Sequence, residues 1–149
     1  MITIKNTQRK IAVNIKQLEK DAQTILRILR YEEYDLGIWL TTNKNIREYN
    51  RNYRHKDKAT DILSFSYHST LKAGERIKPK EVEDKNLGDL IISVEYVNAV
   101  AQEMGVSLCK RMQVLLVHGI CHLLGYDHEI DADYKVMHRK ELALLKHLK

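Results

Sequence analysis

Polar and apolar residues alternate through Ile2–Asn6 (ITIKN), the period of a strand with one buried face. From about Lys16 to Tyr31 the period changes. Leu18, Ala22, Ile25, Leu26 and Leu29 recur at helical spacing and predict an amphipathic helix. Asp35–Thr42 (DLGIWLTT) reads as a second strand, rich in apolar and β-branched residues. A short helix follows, capped by Thr42 or Asn43 and running to about Tyr53, with Ile46, Tyr49 and Tyr53 on its inner face. Ile62–Tyr67 (ILSFSY) and Leu87–Val94 (LGDLIISV) are the third and fourth strands. His68 to Asn86 has no period and holds the only proline; a loop of that length is usually functional or mobile. A helix from about Glu95 to Met104 ends at Gly105, and another begins at the cap Ser107 and stops at Gly125. The last runs from about Asp131 to His147, with Ile130, Tyr134, Met137, Leu144, Leu145 and Leu148 on one side. About four strands and five helices in this order predict an α+β fold, a single layered domain spanning residues 1–149.

Composition changes this picture little. The chain of 149 residues is 44% apolar and 30% charged, and no apolar run reaches the ~18 residues of a membrane span. The first residues lack the apolar stretch of a signal peptide, which predicts a cytoplasmic protein. The only cysteines, Cys109 and Cys121, are expected to be reduced core residues. On one helix they stand ~18 Å apart, too far for a disulfide. A net charge of +5 hints at a polyanionic partner, without naming one.

The chemistry concentrates in HGICHLLGYDH, residues 118–128. His118 and His122 lie four apart and share a helix face. Gly125 suits the left-handed turn that would bring His128 back to the same point. Three such ligands with an open fourth position describe a catalytic metal rather than a structural one. Cys121 points about 100° away around the helix, and Asp127 is better placed to orient a histidine than to ligate. The spacing is that of the metzincin helix, H-E-x-x-H-x-x-G-x-x-H, but Gly119 stands where those proteases carry their glutamate base. Met137 is expected to pack in the core rather than to form a metzincin Met-turn. His55, His68, His138 and His147 are assigned to surface or loop, with His55 nearest to a substrate path.

A second constellation spans Asn43 to Ser66. Lys44, Arg47, Arg51 and Arg54 fall on one stripe of the short helix, and Lys56 and Lys58 extend it as a candidate RNA-binding surface. Tyr49 and Tyr53 are expected beneath that face rather than as platforms for bases. Arg54, where helix gives way to loop, is placed to grip a phosphate bidentately and stabilise developing charge.

These motifs resemble those of the YbeY family of bacterial endoribonucleases. HGICHLLGYDH is similar to the family's H-G-x-x-H-L-x-G-Y-D-H, and NRNYRHKDKATDILSFS to its N-x-x-Y-R-x-K-D-x-P-T-D-V-L-S-F-P. LGDLIIS, residues 87–93, is similar to its L-G-D-I-x-I-S strand. Ala59 and Ser66 depart from the family's prolines, and Cys121 from a common leucine. The resemblance implies one zinc ion on His118, His122 and His128, and cleavage of single-stranded RNA. It also implies roles in 16S ribosomal RNA 3′-end maturation and ribosome quality control, with the ribosome and assembly proteins as partners. Arg54 matches the family's functional arginine.

On this reading a phosphodiester carries charge that metal and arginine stabilise together, so a base beside His118 is less needed. Gly119 is then read as room for an anion, and Asp127 or Glu129 as the proton relay. Two alternatives stay open: a zinc protease or amidase using Asp61 or Glu129 as base, and a ribosome-assembly binding protein whose metal is mainly structural.

Overall fold

Strands form where the alternation predicts them: β1 (Ile2–Asn6), β2 (Asp35–Thr41), β3 (Ile62–Ser66) and β4 (Asn86–Ser93). In this computed structural model, which describes residues 1–149, they join in one sheet of order β1-β2-β4-β3. The β1–β2 and β2–β4 pairs are parallel, and β3 runs antiparallel to β4 as an edge strand. Five helices complete the chain: α1 (Ile15–Ile28), α2 (Asn43–Arg54), α3 (Val94–Met104), α4 (Leu108–Leu123) and α5 (Asp131–Leu145). Side-chain caps start four of them, from Asn14, Thr42, Ser93 and Ser107, each oxygen accepting a free N–H of the first turn.

Period 2 along the strands sorts the side chains onto two faces. Leu36, Ile38 and Leu40 of β2 and Leu90 and Ile92 of β4 point into the main core, against Leu26 of α1, Val97 of α3, Leu116 and Ile120 of α4 and Met137 of α5. The opposite face carries a smaller cluster in which Ile46 of α2 packs on Leu63 and Ile91. The sheet is therefore fully covered on one side and only partly on the other. No helix is long and apolar enough to cross a membrane.

Several expectations need correction. α1 ends at Ile28 rather than Tyr31, because Arg30 takes a left-handed conformation (φ 62°) and turns the chain. Tyr53 is 63% exposed; the buried side of α2 is Ile46 and Asn50. The first turn of α5 also faces water, with Ile130 59% and Tyr134 51% exposed, so its inner face begins at Met137. Met137 itself is a core residue of α5, as its helical spacing predicts. Cys109 is exposed and only Cys121 is buried; both are free.

The segment after β3 is not featureless. It holds a 3₁₀ turn at Val82–Asp84, and its Ile77 is buried, donating its N–H to the Tyr31 hydroxyl. Arg76 lies over the Tyr31 ring at 4.1 Å and donates to the Leu29 carbonyl at 2.7 Å. This stretch is stapled to the end of α1.

Candidate metal centre

α4 carries the first two histidines because one of its faces packs on the sheet and the next looks out beside edge strand β3. His118 and His122 stand one turn apart at the border of those faces, both half-buried. The chain leaves α4 through Gly125 (φ 93°), where a Cβ would also collide with the Leu71 carbonyl, so both conformation and space require glycine. Beyond this turn, His128 folds back over His118, their rings stacked at 5.4 Å. One ligand atom from each of the three histidines lies within 4.8 Å of the other two.

Hydrogen bonds set the ring orientations. His118 Nδ1 lies 2.8 Å from Glu141 Oε2, and His122 Nδ1 lies 2.9 Å from the Tyr126 carbonyl. Both acceptors require a proton on Nδ1, which leaves the Nε2 lone pairs free. Those two Nε2 atoms face each other at 3.1 Å. Two lone pairs that close repel unless a cation sits between them, and the spacing suits ligands sharing one ion at ~2.0–2.1 Å. Burial, followed by the charges of His118 and His128, lowers the His122 pKa and keeps its imidazole neutral, the ligating form. Cys121 faces the core, and burial pushes its thiol up to about 12, so it offers no thiolate. The donor set is three imidazoles with their ligand atoms turned toward one another, and it fits a metal ion.

Glu141, the partner of His118, is the candidate site residue that the sequence pattern does not mark. It comes from α5, sits between Met137 and Leu144 on the buried side of that helix, and is only 16% exposed. A carboxylate behind a ligating histidine fixes its tautomer and raises its basicity, and losing such a partner typically costs 10–100-fold in metal affinity. Glu141→Ala is therefore expected to weaken metal binding about 10–100-fold, measured by competition with a chromogenic chelator. An unchanged affinity would show the contact to be incidental.

The histidines open onto a cleft of about 680 Å³ that follows β3, with Arg54, Asp61, Ser64, Asp127 and Glu129 also on its walls. Arg54 reaches it from the last turn of α2. His55 caps that helix in the left-handed region (φ 59°), and Asn50 donates to the Lys58 carbonyl, folding the following loop back on α2. The other basic residues do not converge there. Arg47 holds Asp57 through two hydrogen bonds and Arg51 approaches the same carboxylate, so the stripe is partly neutralised. Arg47, through its hydrogen bond, keeps the Asp57 pKa below the usual carboxylate range. Lys44, Arg47 and Lys58 border a separate depression, and Lys56 and His55 lie outside the cleft. Arg54 is the one member of the stripe that faces the histidines, and it is exposed and unpaired.

The acidic residues also divide. Asp127 is exposed and accepts the N–H of His128, so it shapes the turn and orients no imidazole ring. Glu129 is exposed at the rim. Asp61 accepts the Ile62 N–H at 2.7 Å and lies 4.0 Å from Arg111, which commits it to the start of β3 rather than to base chemistry. Ser66, where the family pattern has proline, donates to the Leu123 carbonyl at 2.8 Å and ties β3 to the end of α4. The loop of residues 68–86 contributes no residue to the cleft walls.

Gly119 does not face the cleft. It is buried, and a Cβ there would come within 2.8 Å of Ile62 Cδ1 and Leu90 Cδ2. The expectation that it makes room for an anion is overturned. Glycine lets α4 approach the sheet closely, and any side chain at 119 would press on the Ile62 and Leu90 side chains.

The family described as Endoribonuclease YbeY matches residues 3–149. Among individual proteins, the chain is similar to the Endoribonuclease YbeY of Homo sapiens, 40% identical over 147 residues that cover 99% of this chain and 87% of that one. It is also similar to that of Aquifex aeolicus, 37% identical over 136 residues, covering 87% and 84%. The solution structure of a Thermotoga maritima protein superposes with a TM-score of 0.63 at 26% identity, covering 99% of this chain and 89% of that one.

Proposed function

The chain belongs to the YbeY endoribonuclease family, and from that premise we propose that it hydrolyses phosphodiesters of single-stranded RNA at a zinc centre formed by His118, His122 and His128. The observation that carries this reading is that three inward-turned imidazoles and one unpaired arginine face a single cleft beside an edge strand. When bound, the ion supplies a Lewis acid that polarises a phosphoryl oxygen and acidifies water.

The protein's own groups do the rest. Glu141 and the Tyr126 carbonyl hold the His118 and His122 rings with their Nε2 atoms facing each other, where they would hold the ion. Arg54 binds the non-bridging oxygens of the scissile phosphate and stabilises the charge that grows there in the transition state. Asp127 and Glu129 stand at the rim as proton acceptors for the attacking water, Glu129 with its carboxylate uncommitted. A flexible single strand can bring its phosphate down beside the half-buried His118 and His122, which supports the single-strand preference in this reading. The substrate we assign is ribosomal RNA, at 16S 3′-end maturation and ribosome quality control, in the cytoplasm and alongside ribosome-assembly proteins. Neither the peptidase nor the scaffold reading gains support over this one.

Arg54→Ala is expected to lower kcat/KM on single-stranded RNA by roughly 10²–10³-fold, the usual loss for one transition-state donor. Bound metal should be unchanged. Wild-type cleavage by this variant would remove Arg54 from the mechanism.

A further inference from the structure

The partly covered face of the sheet holds a feature that the metal centre does not use. Cross-strand register places Thr3, Gly37, Asp89 and Phe65 in one row and Lys5, Trp39, Ile91 and Leu63 in the next. α2 packs on the second row at Ile91 and Leu63, and its Tyr49 meets the Trp39 ring edge-on, leaving Trp39 only partly buried. Gly37 contributes no side chain, and the Asp89 carboxylate lies across it on the floor of a groove of about 500 Å³. Four aromatic rings follow one another along it: Trp39 to Tyr49 at 5.4 Å, Tyr49 to Tyr53 at 5.9 Å, and Tyr53 to Phe65 at 5.3 Å.

Two facts argue that these rings do more than pack. Tyr53, in the middle of the run, keeps 63% of its surface in water, so its ring is open to a stacking partner. Tyr53 and Phe65 also line the histidine cleft, so groove and cleft form one continuous surface that turns the corner at Arg54. The groove carries opposite charges as well. The Lys5 amine lies 5.6 Å from the Trp39 ring, and the Asp89 carboxylate spans Gly37 without a hydrogen bond or ion pair.

We propose that this groove is a nucleobase subsite for the RNA strand flanking the scissile phosphate. Bases stack on Trp39, Tyr53 and Phe65, since every base offers a π-face and open sheets with aromatic rings bind single strands in this way. Lys5 meets a phosphate. Asp89 accepts a hydrogen from an exocyclic amino group, which favours cytosine over uracil at that position because uracil carries a carbonyl acceptor in place of that amino group. The inference rests on the RNA-cleaving reading above and adds to it a length dependence and a base preference.

Trp39 is the only tryptophan, so its emission reports on the groove directly. The metal-loaded protein is mixed in a stopped-flow instrument with a dinucleotide or with single-stranded oligocytidylate of about eight nucleotides, long enough to reach from cleft to groove. Only the longer RNA should quench Trp39. Trp39→Ala should weaken binding of the longer RNA by roughly tenfold or more, as loss of one stacked base does, while dinucleotide cleavage is kept and Trp39→Phe restores affinity. Oligocytidylate should bind more tightly than oligouridylate, and Asp89→Asn should erase the difference. Unchanged Trp39 emission, with undiminished affinity in Trp39→Ala, overturns the subsite while leaving the proposed nuclease standing. A protein that neither binds nor cleaves RNA of any length overturns both.

Discussion

His122→Ala will leave the protein folded, without bound metal, and depressed in RNA cleavage by about 10³-fold or more, because a catalytic ion typically supplies several kcal/mol of transition-state stabilisation. His122 is the choice among the three histidines because its geometry is the most constrained. It is half-buried, its Nδ1 is fixed by the Tyr126 carbonyl, and its Nε2 meets that of His118 at 3.1 Å. It does not belong to the main core, so the variant should keep the wild-type circular dichroism spectrum. Elemental analysis and cleavage of single-stranded RNA check the two losses together. A folded variant that retained both metal and cleavage would falsify the three-histidine centre.

Gly119→Glu restores the residue that the metzincin pattern carries, and its expected result is an unfolded protein rather than a protease. A Cβ at 119 already meets Ile62 and Leu90 at 2.8 Å. The carboxylate beyond it would be forced into the helix–sheet interface without a partner, at several kcal/mol. That is a large share of the ~5–15 kcal/mol that holds a small domain together. Gly119→Ala is the control: overpacking of about 1–3 kcal/mol is partly offset by about 1 kcal/mol of better helix propensity. Thermal melts should show Gly119→Ala modestly destabilised and Gly119→Glu without a cooperative transition. A well-folded Gly119→Glu protein would mean that α4 does not press on the sheet there.

The contrast between Gly119 and the histidines shows what a linear pattern can carry. Spacing of four along a helix places His118 and His122 on one face whatever surrounds them, and Gly125 supplies the turn for His128. Which neighbour lies across from Gly119 depends on β3 and β4, distant in sequence, so its role was misread. Glu141 escaped notice for a related reason: its partner His118 lies on another helix. The available signal was Met137, Glu141 and Leu144 at helical spacing on α5, a buried stripe with one carboxylate in it. The same limit applies to the basic stripe. Helical spacing aligned Lys44, Arg47, Arg51 and Arg54, but Asp57 folds back onto Arg47 and Arg51 and leaves Arg54 to face the cleft. Tyr53 was assigned to an inner face because helical period marks a side without saying how much of it a neighbour covers.

The central claim is that the three histidines hold the ion on which RNA cleavage depends. The purified protein should therefore contain about one zinc per chain, the stoichiometry of a single three-histidine site, and cut single-stranded RNA while sparing the duplex. Stripping the metal with a chelator should abolish cutting without unfolding the chain, and restoring zinc should recover it. Cleavage that persists in the fully stripped protein, with the fold intact and contaminating nuclease excluded, would contradict the account.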